Sequence, residues 1–326
     1  QEIVTNSKNG SPLSPMQSAT ETTKPLPKHP PIELEHFKPC ILGSENVPTG
    51  PLASILQANR NTINLPEEKI GLTNLYTHNI RVTDKLKPIY TCQYRQPWKY
   101  QELIDTEEER MLKMGIICES NSPWNSPIVL VSKKDKSIRF CVDFRRLNQE
   151  TLAYRFPMPL LEDLLMHLGS AATYSKLDLS AAFWQIPLTN EASEKTAFST
   201  RKGHFHFKRV PFGHVDSSSV MSYVLNEALK DLIGICIVIY IDDIIIFSKS
   251  LEEHLKHIDM VLSRLGTAGL TVKLAKCAFF KKTITFLGHT ITQKGIKVEE
   301  SKHTAIKAFP EPKTKKELKK FLGMCS

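Results

Sequence analysis

Asp242 and Asp243 sit side by side within Ile235-Cys236-Ile237-Val238-Ile239-Tyr240-Ile241-Asp242-Asp243-Ile244-Ile245-Ile246-Phe247, a run that is otherwise almost wholly apolar. An ionised carboxylate in such a setting costs several kcal/mol unless a counter-charge meets it. The run contains no Lys or Arg. The compensating charge must come from elsewhere in the fold or from a metal ion. A third acid, Asp178, stands in Lys176-Leu177-Asp178-Leu179. If the strand carrying Asp178 lies beside the Asp-Asp turn, two or three carboxylates converge. Such a set is an oxygen-rich octahedral site for Mg²⁺ or Mn²⁺. Two ions about 3.5–4 Å apart would stabilise the attacking and leaving oxygens of a phosphoryl transfer. The plainer alternative is a helix cap at Asp178 and a simple turn at Asp242-Asp243. A double acid flanked by long apolar stretches argues against it.

The elements that must position these acids are readable in outline. Apolar residues at Ile235 to Tyr240 and Ile244 to Ser248 predict two strands meeting at the acid turn, and Thr173 to Leu179 predicts a third. A short helical piece follows from Ala181. Ile128 to Val131 and Ile138 to Val142 predict a hairpin with a polar, basic tip. Helical spacing marks Thr106 to Met114, Pro159 to Leu168, Ser217 to Leu232 and Leu251 to Leu265, several of them stopped by Gly. Thr196 to Val210 predicts two strands around Arg201-Lys202-Gly203, Val272 to Thr292 more strands, and Lys313 to Leu322 a basic terminal helix. Helices mixed with hairpin-connected strands give an α+β class. Residues 1 to about 65 are rich in Pro, Ser, Thr and Asn without sustained periodicity, and predict a linker or disordered arm.

Composition narrows the partners. The chain has 326 residues, 41% of them hydrophobic and 24% charged, as in ordinary globular proteins. It begins at Gln1 and carries no signal-peptide pattern, so it reads as a fragment of something longer that is not secreted. The longest apolar run is too short for a membrane helix and is broken by two acids, so no membrane is expected. Seven scattered cysteines with no CxxC pair suit a reducing compartment rather than a zinc ribbon or disulfide framework. The net charge is +9, and Lys249 to Ser326 holds 16 Lys and Arg against 7 Asp and Glu, which accounts for all of it. A one-sided basic region suits a polyanion. A solvated lysine-rich face explains the charge as well.

Tyr240-Ile241-Asp242-Asp243 has the Tyr-x-Asp-Asp form of reverse transcriptases, and the likeness extends well beyond it. Ser122 to Asp135, Arg139 to Asn148, Phe156-Pro157-Met158-Pro159, Leu177-Asp178-Leu179, Phe183-Trp184-Gln185-Ile186 and Phe286-Leu287-Gly288-His289 resemble, in order and spacing, the Pol proteins of Gypsy-type LTR retrotransposons. The resemblance runs from about Leu72 to Phe321. It implies a right-hand polymerase fold, with fingers and palm over 66–292 and the start of a truncated thumb over 293–326. It implies an RNA-directed DNA polymerase working on an RNA or DNA template with a primer and a deoxynucleoside triphosphate. Asp178, Asp242 and Asp243 would be the catalytic carboxylates holding two Mg²⁺ (or Mn²⁺) ions, with the Leu179 carbonyl as a further ligand. Lys133 and Arg139 would clamp the triphosphate, whose oxygens suit a Lys point charge and a forked guanidinium. The backbone of Ala181 and Ala182 would face the same group. Phe183 would lie under the sugar and leave no room for a 2′-hydroxyl. Phe212 and Gly213 would complete the nucleotide site, and Phe286, Leu287 and Gly288 the primer grip. Protease, ribonuclease H and integrase segments would be partners within a polyprotein. The setting would be cytoplasmic, in a virus-like particle if the element is active.

One segment departs from that pattern. The family usually has Phe-Gly-Leu, a variable residue, then Asn-Ala-Pro-Ala-Thr-Phe-Gln. Here the chain reads Phe212-Gly213-His214-Val215-Asp216-Ser217-Ser218-Ser219-Val220-Met221-Ser222. The Phe ring and Gln amide that would support the nucleotide are lost, which predicts weakened positioning. A misplacement of ~1 Å can cost about 100-fold in rate. The rival expectation is a catalytically silent relative that only binds nucleic acid. A two-metal nuclease leaves the fingers residues and Phe183 without a role.

Overall fold

The computed structural model describes residues 29–44, 47–65, 70–83, 87–132, 138–169 and 171–325. The chain divides into two compact units, Gln1–Pro30 and Pro31–Ser326, and all that follows concerns the second.

Its centre is an antiparallel sheet of four strands in the order Ala278–Lys281, Thr173–Asp178, Asp243–Ser248, Ile237–Tyr240. The near-continuous apolar run around the acids follows from burial on both faces of this sheet. Ile237, Ile239, Ile244 and Ile246 point into the main core, which also holds Val224 and Leu225 of helix Ser217–Leu229 and Ile258 and Leu262 of helix Leu251–Thr267. The alternate residues Val238, Ile245 and Phe247 enter a second core with helix Leu161–Leu168 and the hairpin Thr283–Phe286/His289–Thr292. Successive strand residues face opposite ways, so a one-residue slip would exchange the two sets. That pins the register, and with it the height of each acid at the sheet's end.

The expected fingers hairpin forms as Ile128–Ser132 paired with Ile138–Val142. The expected helix at Thr106 to Met114 starts a turn earlier, as Gln101–Lys113. The basic C-terminal helix forms as Lys315–Cys325. Helices and antiparallel strands together are the α+β class expected.

The arm expected through residue 65 needs correction over its described part, while residues 1–28 lie outside the described residues. Helix Thr49–Ala58 buries Leu52 and Leu56, and Phe37 and Cys40 are equally hidden. Cys40 Sγ donates to Leu274 O at 2.9 Å, Ser44 Oγ donates to Phe279 O at 2.8 Å, and Ile63 pairs in parallel with Val272. This segment lacks periodicity because it does not form a core of its own. Its few apolar residues fill the back of a core made by residues far away in the chain.

Candidate active site

Asp178 and Asp243 are direct cross-strand partners, the last matched pair of their two strands. Asp243 also pairs with Tyr240, so Ile241 and Asp242 form a two-residue hairpin turn. Ile241 has φ +58° while Asp242 keeps a negative φ, the sign pattern of a type II′ turn, whose first central position favours Gly. A β-branched residue in the left-handed region is strained, and such strain collects at functional sites. Asp242 stands exposed at the tip.

The counter-charges come from two lysines. Lys176 lies two residues before Asp178 on the same face, diagonal to Asp243, and its Nζ is 2.7 Å from Asp243 Oδ1. Lys276 approaches from the 3₁₀ helix Leu274–Lys276 just before the edge strand, 3.6 Å from Asp178 Oδ1. Partial burial pushes the Asp178 carboxyl above its ordinary range; Lys276 opposes that shift and Asp243 adds to it. Asp242 is raised for the same reason, desolvation first and its neighbour Asp243 second. Both shifts are those of a crowded carboxylate set short of positive charge. All the donors are hard oxygens, which fit Mg²⁺ or Mn²⁺. The three acids do not bring one oxygen each within 4.8 Å of one another; among the described residues that convergence belongs to His78, His214 and Asp216.

Beyond Leu179, which bridges to Val272, the chain turns through a left-handed Ala181 (φ +47°) into the short 3₁₀ helix Ala182–Gln185. Phe183 there meets Phe212 at 5.1 Å between ring centroids, and Trp184 meets the same ring at 5.5 Å. Gly213 follows with φ +89°, a conformation that admits Gly freely. Asn148 fastens this turn with both ends of its amide: Nδ2 donates to Gly213 O and Val215 N donates to Oδ1, each at 2.9 Å. The altered helix still forms, with Met221 filling the main core and Ser222 buried.

The hairpin Phe286–His289 turns on Leu287 and Gly288, both at positive φ (+49° and +76°), as a type I′ turn requires. Phe286 is buried edge-on to Tyr240 at 6.5 Å, which couples this turn to the acid turn. Arg139 stands exposed on the fingers hairpin, opposite Val131. Lys133 lies outside the described residues.

Three supporting groups escaped the sequence reading. Lys176 and Lys276 are the first two, and only the period of two linking Lys176 to Asp178 pointed to either. Gln185 is the third: its buried amide donates to Ser180 O and Thr271 O and accepts from Thr271 N, holding the end of the Asp178 strand. A Gln inside an otherwise apolar turn was the available signal.

Comparison with known proteins gives the family and the fold. Residues 131–291 match the family described as reverse transcriptase (RNA-dependent DNA polymerase). The chain is 38% identical over 278 residues to the retrovirus-related Pol polyprotein from transposon 297 of Drosophila melanogaster, covering 84% of this chain and 26% of that protein. It is 36% identical to the Pol polyprotein from transposon gypsy of the same organism, over 79% of this chain and 26% of the relative. It thus spans about a quarter of the length of these curated relatives. Among solved structures, the foamy viral protease-reverse transcriptase in complex with an RNA/DNA hybrid superposes with a TM-score of 0.77 at 28% identity, over 92% of this chain and 41% of that one. The same viral protein in a complex with double-stranded DNA gives 0.79. The fold is accordingly that of the right-hand polymerases. Among the described residues, no helix is long and apolar enough to cross a membrane.

Proposed function

Because the chain belongs to the reverse transcriptase region of Gypsy-type LTR retrotransposon Pol proteins, we propose that it is an RNA-directed DNA polymerase that adds deoxynucleotides to a primer 3′-hydroxyl. The observation that carries this reading is the register match of Asp178 with Asp243 at the end of a doubly buried sheet, with Asp242 in the strained turn beside them. Asp178, Asp242, Asp243 and the Leu179 carbonyl would hold two Mg²⁺ (or Mn²⁺) ions, which supply activation of the attacking hydroxyl and neutralisation of the leaving phosphates. For that, Lys176 and Lys276 must release their acids. Both are long and partly exposed, and ion pairs of that kind contribute about 0–1 kcal/mol.

The remaining roles follow from position. Phe183, held by Phe212 and Trp184, would form the floor under the sugar and exclude a 2′-hydroxyl. Lys133 and Arg139 would close on the triphosphate from the fingers, facing the backbone of Ala181 and Ala182. Gly213 would keep the wall beside Phe212 thin. The turn Leu287-Gly288, braced by Phe286 against Tyr240, would seat the primer end near the acids. A template of RNA or DNA, other Pol segments and a reducing cytoplasmic setting fit the polyprotein relatives and the free thiols.

Primer extension on an RNA template with deoxynucleotides and Mg²⁺ or Mn²⁺, beside Asp242→Asn, tests the reading. Extension by the parent alone supports it. If parent and variant are equally inert while an RNA–DNA duplex still binds in a salt-dependent way, the reading fails and a binding role replaces it.

A further inference from the structure

The segment that departs from the family pattern carries a second cluster of metal-competent side chains, away from the three acids. His214 and Asp216 stand where the pattern has Leu and Asn, and His78 packs against both. One nitrogen from each ring and a carboxylate oxygen of Asp216 all lie within 4.8 Å of one another. His78 Nε2 is 3.2 Å from Asp216 Oδ2. The three residues are 1%, 5% and 1% exposed for His78, His214 and Asp216. Among the described residues His78 Nδ1 and His214 Nε2 have no hydrogen-bond partner, and His78 Nε2 has only the Asp216 carboxylate beside it. Buried polar atoms are nearly always satisfied, so His78 Nδ1 and His214 Nε2, left without a partner beside the His78–Asp216 pair, call for an explanation.

We propose that His78, His214 and Asp216 bind a borderline divalent transition metal, Zn²⁺ first among them, which ties the turn under the nucleotide floor to the segment around His78. Two imidazoles and one carboxylate are a common zinc donor set, whereas Mg²⁺ prefers oxygen alone. With metal–ligand bonds of about 2.0–2.1 Å, the edge of a tetrahedron is roughly 3.3–3.4 Å. The His78–Asp216 separation of 3.2 Å already matches it.

The ligands are held by firm backbone. His78 N donates to Pro187 O at 2.8 Å, and His78 O accepts from Thr189 N at 3.0 Å. Asp216 directly precedes helix Ser217–Leu229, and its Oδ1 accepts from Tyr154 N at 2.8 Å, leaving Oδ2 for the cation. Ligation by His214 Nε2 leaves the proton on Nδ1. The contact from Asp216 N to that atom, long at 3.3 Å, is given up in exchange. A simple ion pair between a protonated His78 and Asp216 would occupy one nitrogen and leave His214 Nε2 without a partner.

The test is Zn²⁺ binding to the full chain after treatment with chelator, in excess Mg²⁺ so that the acid cluster is filled. One Zn²⁺ per chain is expected by elemental analysis. A rise in Tm of roughly 4 °C is expected when free Zn²⁺ is about a hundred times its dissociation constant. Co²⁺ in place of Zn²⁺ should give visible bands of a four-coordinate site without thiolate charge transfer. His214→Leu with Asp216→Asn restores the family residues and should fold, as read by circular dichroism, yet lose the stoichiometric metal and the Tm response. If that pair does not fold, Asp216→Asn alone keeps the acceptor for Tyr154 N–H and should show the same loss. Asp242→Asn should keep the Zn²⁺. No Zn²⁺ on the parent, or equal Zn²⁺ on parent and His214 or Asp216 variant, overturns the proposal.

Discussion

The acids at Asp178 and Asp243 and the cluster of His78, His214 and Asp216 are both sets of metal-competent side chains, built in opposite ways. The first sits at strand ends, with side chains about 30% exposed, and its acids are paired with lysines that can swing away. The second is almost fully buried and rich in imidazole, and among the described residues no lysine pairs with its carboxylate. A centre that admits a new nucleotide at every cycle needs hard, exchangeable ligands and a counter-charge that yields. A centre that only fastens two segments needs the reverse. Exposure and donor type, rather than the number of ligands, separate the two.

The largest expected effect breaks the first centre alone. Asp178→Asn or Asp242→Asn should lower the rate of primer extension by about 10³-fold or more, which is at least ~4 kcal/mol in barrier height. The Tm should not fall. If lost activity tracks lost Tm, the acids are fold elements and the contrast collapses. Next, Phe183→Val should reduce the preference for deoxynucleotides over ribonucleotides by roughly 10–100-fold, as a steric contact worth about 1–3 kcal/mol would. His214→Leu with Asp216→Asn should leave that ratio unchanged, because His214 is buried against His78 and Phe144, and Asp216 against His78. Single-nucleotide incorporation with matched pairs of substrates measures both.

A smaller effect follows from the yielding lysine. Lys176→Met should lower the Mg²⁺ concentration for half-maximal rate by about 3–10-fold, since the ammonium then no longer competes for Asp243, a pair of order 1 kcal/mol. An increase would mean that Lys176 helps to seat the ion.

The smallest effects concern pH. Asp178 and Asp242 are both raised above the ordinary carboxylate range. Protonated acids release cations, so the acid limb of extension should lie above the ordinary Asp value of about 3.9 and move down as Mg²⁺ increases. The sign for stability is the opposite of the usual carboxylate case. A raised folded pKa means that protonation favours the native state, so the ionised acids destabilise it above the unfolded pKa. Asp242→Asn should therefore raise Tm slightly at neutral pH in metal-free buffer, and the gain should vanish as the pH falls below the unfolded carboxylate range.

Much of the palm was legible because its signals are local. The near-continuous apolar runs Ile237 to Tyr240 and Ile244 to Phe247 report strands buried on both faces, and the paired acids between them mark an anomaly. The fingers hairpin and the helix Leu251–Thr267 announce themselves through strand runs and helical spacing. The segment from Ile32 to Leu65 was not legible, because Phe37, Leu52 and Leu56 answer to a core formed by residues far along the chain. The left-handed backbone at Ala181, Ile241 and Leu287 was equally hidden, since none of these residue types favours it.

By itself, then, the amino-acid sequence determined the donors: hard carboxylates at the acid turn, and a His and an Asp where the family pattern has Leu and Asn. It also determined which strand would carry the acids, because alternation is a property of neighbouring residues. The tertiary structure decided what each donor meets. Strand register sets Asp178 opposite Asp243 and brings Lys176 across to it. The packing of the segment around His78 against the turn before helix Ser217–Leu229 brings His78 to Asp216. Those meetings depend on the closure of long loops and the fit of two cores, and neither leaves a periodic trace in the chain.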